Sequence, residues 1–406
     1  MATSVLELDE KVVSKKEAVR QKLLDEAKLG LLLGELGADY NPDDVLPFQS
    51  RNQFATAYAR KHGLDGFVLP GGNRARAPHS TFTPFKIVVE DHQVILYDGS
   101  KVIGPLKFPQ PHPVSKTTLS TGEKFNQVAN VSAEGGISVG YSTECSLKDA
   151  GEDCLFCSIN VRDKDGSSGR IQLKTARQVA EAYHLARQAG EANHFRITGG
   201  FVPERRELEY YLDVADAIRE YYSSFYGVAI IGAPADITIL HKYKEAGFTN
   251  ISHNLEVWDK NIFATICPGK EKRNGGWQHW IESLEYAVSV FGKGNVHSNL
   301  VSGLAPKDAQ LEGIEYLATK GVVCHFNPFR PQIDTPLEGY RSPTADWHWD
   351  VLDRATDIYK RYGFNTLQLY SGPASGPTHG PVFQIKNGEF EGDTLPQWRY
   401  PELPKN

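Results

Sequence analysis

From about Gly135 onward, apolar positions keep switching between two rhythms: short unbroken runs, then longer stretches in which they recur every three or four residues. The first rhythm predicts buried strands and the second amphipathic helices. Strands are expected at 137–141, 194–198, 227–231, 249–255, 295–300 and 322–327. Helices are expected near 176–192, 208–225, 237–246, 277–291 and 309–320, and one more at 347–362 precedes a possible seventh strand at 366–370. Repeated βα units of this kind predict an α/β fold, a partial or complete TIM-type (β/α) barrel. In that architecture residues just after each strand share one face, and chemistry belongs there.

The rhythm before residue 135 is different. A charged helical pattern covers 6–36, and a second helical stretch follows at 52–62. The run 85–94 alternates as a strand, and Asp98-Gly99 supplies a turn before 101–108, so a small β-meander is expected. The proline-rich 109–113 reads as a linker. The organisation is therefore a mixed α+β extension at 1–134, a barrel at 135–371 and an irregular tail at 372–406 that wraps the barrel or covers its mouth.

Composition narrows the partners. With 406 residues, 40% hydrophobic and 23% charged, the chain is ordinary for a globular protein. Its net charge of −6 gives no footprint for nucleic acid. No apolar run approaches the roughly 20 residues of a membrane span. The charged N-terminus does not resemble a signal peptide, and a cytoplasmic protein is expected. Five cysteines are too few, and odd in number, for a disulfide framework. Three of them, Cys145, Cys154 and Cys157, cluster just after the first expected barrel strand.

Three thiolates on one loop can hold three irons of a cubane cluster, leaving the fourth iron open to a small-molecule ligand. A zinc knuckle would need a fourth ligand, and no other Cys or His lies in the loop. A redox dithiol leaves the third cysteine unexplained. The exposed segment 162–170 separates the loop from the next helix.

The cluster resembles the radical S-adenosylmethionine (SAM) superfamily, which carries three cysteines on the loop after the first barrel strand, usually spaced C-x3-C-x2-C. Phe156 occupies the aromatic place before the last cysteine. The first spacing is eight residues instead of three, which bears on subfamily more than on chemistry. Further along, residues 136–345 resemble the biotin synthase-like branch, with its hydrogenase-maturation and methylornithine-type enzymes. Thr198-Gly199-Gly200 is similar to the segment that receives the SAM amino group. The stretch Ser252-His253-Asn254-Leu255-Glu256 is similar to the strand whose acidic residue binds the SAM ribose, which implies Glu256. The stretch around Leu300 and Val301 is similar to the adenine-binding strand, and Asn327-Pro-Phe-Arg330 is also family-like. A cation for the SAM carboxylate is expected from Lys270, Lys272 or Arg273.

The resemblance implies a [4Fe–4S] cluster, SAM, and an electron donor such as flavodoxin or ferredoxin. It also implies reductive cleavage of SAM to a 5′-deoxyadenosyl radical. Biotin synthase's second cluster has no counterpart here, because its ligand positions fall on Arg196, near Ala229, and on His297. Cys324, inside an apolar strand, reads as packing, and Cys267 lies on the loop after the fourth strand. Polar groups stand at the other inward or strand-end positions: Arg196, His253, Asn254, His297, Asn299, His325, Asn327 and Arg330. They suggest a small polar substrate, and the arginines suggest a carboxylate. Rearrangement or fragmentation is therefore expected over sulfur insertion. Two other classes compete: a non-radical iron–sulfur or zinc-binding barrel with a structural or electron-transfer role, and an accessory assembly protein that presents a precursor to a partner.

Overall fold

The computed structural model of the chain describes residues 5–49, 63–159, 171–273, 275–332, 334–372 and 379–402. The expected helical stretch 52–62 and the segment 162–170 lie outside them.

A long helix, α1 (Val5–Leu36), leads to an antiparallel hairpin of β1 (Leu64–Val68) and β2 (Arg74–Ala77). A three-stranded meander follows: β3 (Phe85–Glu90), β4 (Gln93–Asp98) and β5 (Lys101–Leu106). The run 85–94, expected as one strand, is broken by a turn. Asp91 and His92 take φ of 47° and 62°, the left-handed pair that a two-residue hairpin turn requires. Ile87, Val94 and Leu96 then face Leu33 and Phe67 in a small core of their own.

The larger sheet has seven strands. Short β6 (Asn130–Val131) is its antiparallel edge. Beside it, β7 (Gly136–Ser142), β8 (His194–Gly199), β9 (Gly227–Ile231), β10 (Asn250–His253), β11 (Val296–Ser302) and β12 (Val322–Pro328) run parallel in chain order. The sheet curls into a half-barrel, so the fold is an incomplete (β/α) barrel. Helices cover its outer face: α2 (Ala176–Gln188), α3 (Glu204–Arg219), α4 (Leu240–Glu245), α5 (Lys260–Ile266), α6 (Pro268–Arg273), α7 (Gly276–Phe291), α8 (Lys307–Thr319) and α9 (Ala345–Arg361). Local chemistry fixes several of them. Thr175 caps α2 and Gln178 closes the capping box, while Val179, Ala182, Tyr183 and Ala186 bury one stripe.

The stretch 366–370 is not a seventh strand but a helix, α10 (Thr366–Tyr370). Asn365 Oδ1 accepts from Gln368 N at 3.0 Å and Gln368 Oε1 accepts from Asn365 N at 3.0 Å. This reciprocal cap outweighs the apolar alternation that suggested a strand. The tail carries α11 (His379–Asn387) and then runs extended. Leu395 N donates to Gly71 O at 2.7 Å and Tyr400 N to Glu134 O at 2.9 Å. Tyr400 stacks on His194, the first residue of β8, at 4.2 Å. The tail therefore closes the barrel at the strand N-termini, opposite the mouth. Among the described residues no helix is long and apolar enough to cross a membrane.

Candidate functional site

The cysteine loop leaves β7 at the sheet's C-terminal edge and is fastened at several points. Ser146 N donates to Phe201 O at 2.7 Å, and Gly200 N to Ser142 O at 3.1 Å. Cys157 N donates to Cys154 O at 3.0 Å, the tight turn that a C-x2-C pair makes. Leu155 N reaches Ile266 O and Gly269 N reaches Glu152 O, each at 2.9 Å, strapping the loop to α5 and α6.

This fastening gathers Cys145, Cys154, Phe156 and Cys157 around a cavity of about 150 Å³. Thr198, Gly199, Gly200, Asn254 and Glu256 line the same space. The glycine pair is a steric requirement: a Cβ on Gly200 would lie 1.8 Å from Glu144 O, and one on Gly199 would lie 2.4 Å from the Tyr141 ring. Among the described residues no three His, Cys, Asp or Glu converge on a single ion. Three thiols around one cavity suit a cubane cluster, in which each thiolate holds a separate iron.

At the end of β10, Glu256 holds φ at 69°. Its N–H donates to Asn299 O at 2.7 Å and its carbonyl accepts from Val301 N at 2.8 Å, pairing it with Leu300 of β11. Lys270 Nζ donates to Glu256 Oε1 at 2.9 Å and to Asn254 O at 2.7 Å. Burial opposes the Lys270 charge, but Glu256 and Cys154 outweigh it and hold the ammonium above its usual range. Lys272 and Arg273 instead pair with Glu152 nearer the surface. Lys270 is thus the cation of the three that enters the cavity. Asn299 Nδ2 donates to Glu256 Oε2 at 3.3 Å, and Asn327 Nδ2 to Asn299 Oδ1 at 3.2 Å, extending the network to β12.

The thiols differ. A hydrogen bond with Cys267 pulls Cys154 below the usual thiol range, whereas burial pushes Cys157 up to about 12. Cys267 is therefore a neighbour of Cys154, and Cys324 is a buried residue of β12.

The remaining polar positions separate into two tiers. Asn327, Arg330 and Val301 line a neighbouring cavity of about 270 Å³ that shares Phe156 with the first. Arg196, His297 and His325 lie in a closed tier near the strand N-termini. Asn250 Nδ2 is 3.1 Å from His297 Nε2, and His297 Nδ1 is 3.1 Å from His325 Nε2. Burial lowers His297 to about 3, so the ring is neutral. Arg196 donates Nη2 to Ser132 Oγ at 3.2 Å, and its Nε and Nη1 find no partner among the described residues.

Among the lining residues not singled out from the sequence are Glu207, in the first turn of α3, and Trp280, under the Lys270 ammonium at 4.4 Å. Burial pushes Glu207 up to about 8, with the Gly232 N–H opposing and Glu204 adding. An acid in the first turn after a glycine pair was a readable signal. Trp280 offered none.

Residues 142–317 match the radical SAM superfamily. The chain is 25% identical over 316 residues to the bacteriochlorophyllide c C-7(1)-hydroxylase of Chlorobaculum limnaeum, covering 73% of this chain and 77% of that one. It is 29% identical over 165 residues to the biotin synthase of Nitratidesulfovibrio vulgaris strain DP4, covering 40% and 42%. The chain thus spans about half the length, or less, of the biotin synthases it matches. Among solved structures, methylornithine synthase (PylB) overlays with a TM-score of 0.41 at 16% identity, covering 59% of this chain and 64% of that one. The hydrogenase maturase HydG of Carboxydothermus hydrogenoformans overlays at 0.44 and 16% identity, covering 55% and 51%.

Proposed function

We propose, from the match of residues 142–317 to the radical SAM superfamily and the likeness to biotin synthase, that this chain is a radical SAM enzyme that abstracts hydrogen from an inert C–H bond of a carboxylate-bearing substrate held at the barrel mouth. Cys145, Cys154 and Cys157 would hold a [4Fe–4S] cluster, and SAM bound beside it would supply radical, hydrogen-abstracting chemistry with an electron from a flavodoxin- or ferredoxin-like donor.

The chain's residues then have separable tasks. Gly199 and Gly200 let the end of β8 close against Tyr141 and Glu144, which sets the cavity wall where the methionine end would lie, and Thr198 borders it. Glu256 accepts from the ribose hydroxyls, Lys270 steadies its charge, and Leu300 and Val301 flank the adenine. Asn254, Asn299, Asn327 and Arg330 orient the substrate's polar groups near that space. Arg196, His297 and His325 position the strands from below. The observation that carries the proposal is the single cavity joining all three thiols to the glycine pair, Asn254 and Glu256.

Rearrangement or fragmentation suits a small polar carboxylate, and the substitution of Arg196 and His297 at second-cluster positions disfavours sulfur insertion. A second reading, hydroxylation, is favoured by the similarity to the bacteriochlorophyllide c hydroxylase over 73% of this chain. Product mass separates the two, because hydroxylation adds one oxygen and rearrangement adds none.

The test is anaerobic. Reconstituted, reduced protein given SAM should release 5′-deoxyadenosine, and Cys157→Ala should lose both the cluster absorbance and the nucleoside. A well-formed cluster that neither binds nor cleaves SAM would return the site to a structural or electron-transfer role.

A further inference from the structure

Three carboxyl groups line the cysteine cavity: Asp153, Glu207 and Glu256. Two of them have cations of their own. Lys270 Nζ lies 2.9 Å from Glu256 Oε1, and Lys148 Nζ lies 3.2 Å from Asp153 Oδ2. Glu207, 7% exposed, pairs with no cation among the described residues. The charges nearest to it along the chain are committed elsewhere: Arg206 pairs with Glu144 at 3.1 Å, and Glu204 accepts from the Ala235 N–H at 2.5 Å. What reaches Glu207 is the Gly232 N–H, just after β9. One backbone donor does not neutralise a buried carboxylate.

Glu207 stands in the first turn of α3, where the helix dipole favours an ionised acid. Burial outweighs the dipole and holds the carboxyl up at about 8, with Glu204 adding and the Gly232 N–H opposing. The phenols of Tyr141, Tyr211 and Tyr243 also feel Glu207, and burial keeps all three neutral. Glu207 is not among the charges that act on Cys154 or Cys157. Its proton therefore belongs to the cavity wall and not to the thiols. At neutral pH the chain's own charges in that wall cancel: Glu256 with Lys270, Asp153 with Lys148, and Glu207 with its proton. SAM brings a sulfonium, an ammonium and a carboxylate. The last two cancel each other, which leaves the sulfonium as the unanswered charge and Glu207 as the acid of the cavity free to answer it.

We infer that Glu207 is the counter-charge for the SAM sulfonium: it ionises as SAM enters the cavity, and it makes the site select SAM over S-adenosylhomocysteine, whose sulfur is uncharged. The carboxyl O–H bond breaks, its proton leaves to solvent and no electron is transferred. The inference rests on the radical SAM reading of this cavity and adds the group that tells the charged ligand from the neutral one. A carboxyl that is neutral without its cation lets the wall stay buried without a permanent unpaired charge.

The test is calorimetric titration of anaerobic, cluster-reconstituted full-length protein with SAM and with S-adenosylhomocysteine, in two buffers of different ionisation enthalpy. A proton lost by the amino group is common to both ligands, so the difference between them reports Glu207. At neutral pH wild type should release about one proton more with SAM and bind it at least about tenfold tighter. That preference should grow as pH rises toward 8, where the free carboxyl loses its proton, and level off above it, a measurement that needs no variant. Glu207→Gln keeps the shape of the protonated acid. It should bind S-adenosylhomocysteine within about twofold of wild type, release equal protons with both ligands and lose most of the preference. Equal proton release by wild type overturns the assignment, as does a preference for SAM that survives with its extra proton in Glu207→Gln. Binding of neither ligand by a well-formed cluster sinks the radical SAM reading together with this inference. Binding of both with equal proton release sinks this inference alone.

Discussion

Glu256 combines burial, charge and a left-handed backbone, three features that seldom meet in one residue. The left-handed conformation costs about 1–2 kcal/mol for a residue with a side chain, and it turns the carboxylate toward both Lys270 and Asn299. Glu256→Gln should weaken SAM binding roughly 10- to 100-fold, because a charge-assisted hydrogen bond is worth about 1.5–3 kcal/mol. Equilibrium dialysis on reconstituted protein reads this directly. It should also destabilise the fold by about 3–5 kcal/mol, since Lys270 is left buried without its counter-charge. The double variant Glu256→Gln/Lys270→Met should recover most of the stability and none of the affinity. Recovery of both would mean that the pair is packing and not part of the site. The cysteines stood out in the sequence because three on one loop declare themselves by spacing, and the fold brings them to one cavity. Glu256, which lines the same cavity, stood out only through family likeness. Glu207 left a weaker trace, an acid in the first helical turn after the glycine pair, and its burial comes from segments that touch only after folding.

Elements were most readable where period and capping agreed. The six parallel strands stand within a few residues of their expected positions because buried parallel strands are continuous apolar runs. Errors arose where a short-range hydrogen bond overruled the pattern, as with the Asn365–Gln368 cap of α10 and the left-handed Asp91-His92 turn. The first turn of α3 supports a pH prediction. Glu207 is raised to about 8 from an ordinary 4.5, so between those values the folded chain holds a proton that the unfolded chain has lost. Stability from this group is complete below pH 4.5 and disappears as pH rises through 8. His297 and His379, lowered by burial to about 3 and about 4, act oppositely: their contribution is complete above pH 6.5 and is lost as pH falls through those values. Wild type should therefore lose thermal stability between pH 6 and 8.5, and Glu207→Gln should flatten that limb while leaving the acid limb unchanged. Parallel curves for the two proteins would place the Glu207 proton elsewhere.

A half-barrel leaves two problems that a closed barrel does not have: an open interior end and an unpaired last strand. The chain answers the first with its own tail. Tyr400 stacks on His194 and its hydroxyl donates to Tyr370 O, while Trp398 stacks on Tyr370 at 4.3 Å. The neutral histidines and Arg196 are thereby sealed from water on the side away from the cysteines. This arrangement was beyond the sequence reading, which expected an irregular tail that wraps the barrel or covers its mouth; aromatic and proline-rich composition shows that a segment packs without showing where. If the tail is a structural plug, Tyr400→Ala should cost about 3–5 kcal/mol, the range for truncating a buried aromatic. In a chain of this length that lowers the melting temperature by several degrees or more. The SAM dissociation constant should stay within about twofold, since the thiols and Glu256 sit at the opposite end of the strands. Deleting residues 393–406 should have a larger thermal effect of the same kind. A truncated protein that melts with wild type would show that the tail lies outside the cooperative unit. Lost SAM binding at unchanged stability would instead tie the closed histidine tier to the chemistry, giving Arg196, His297 and His325 a direct part in it.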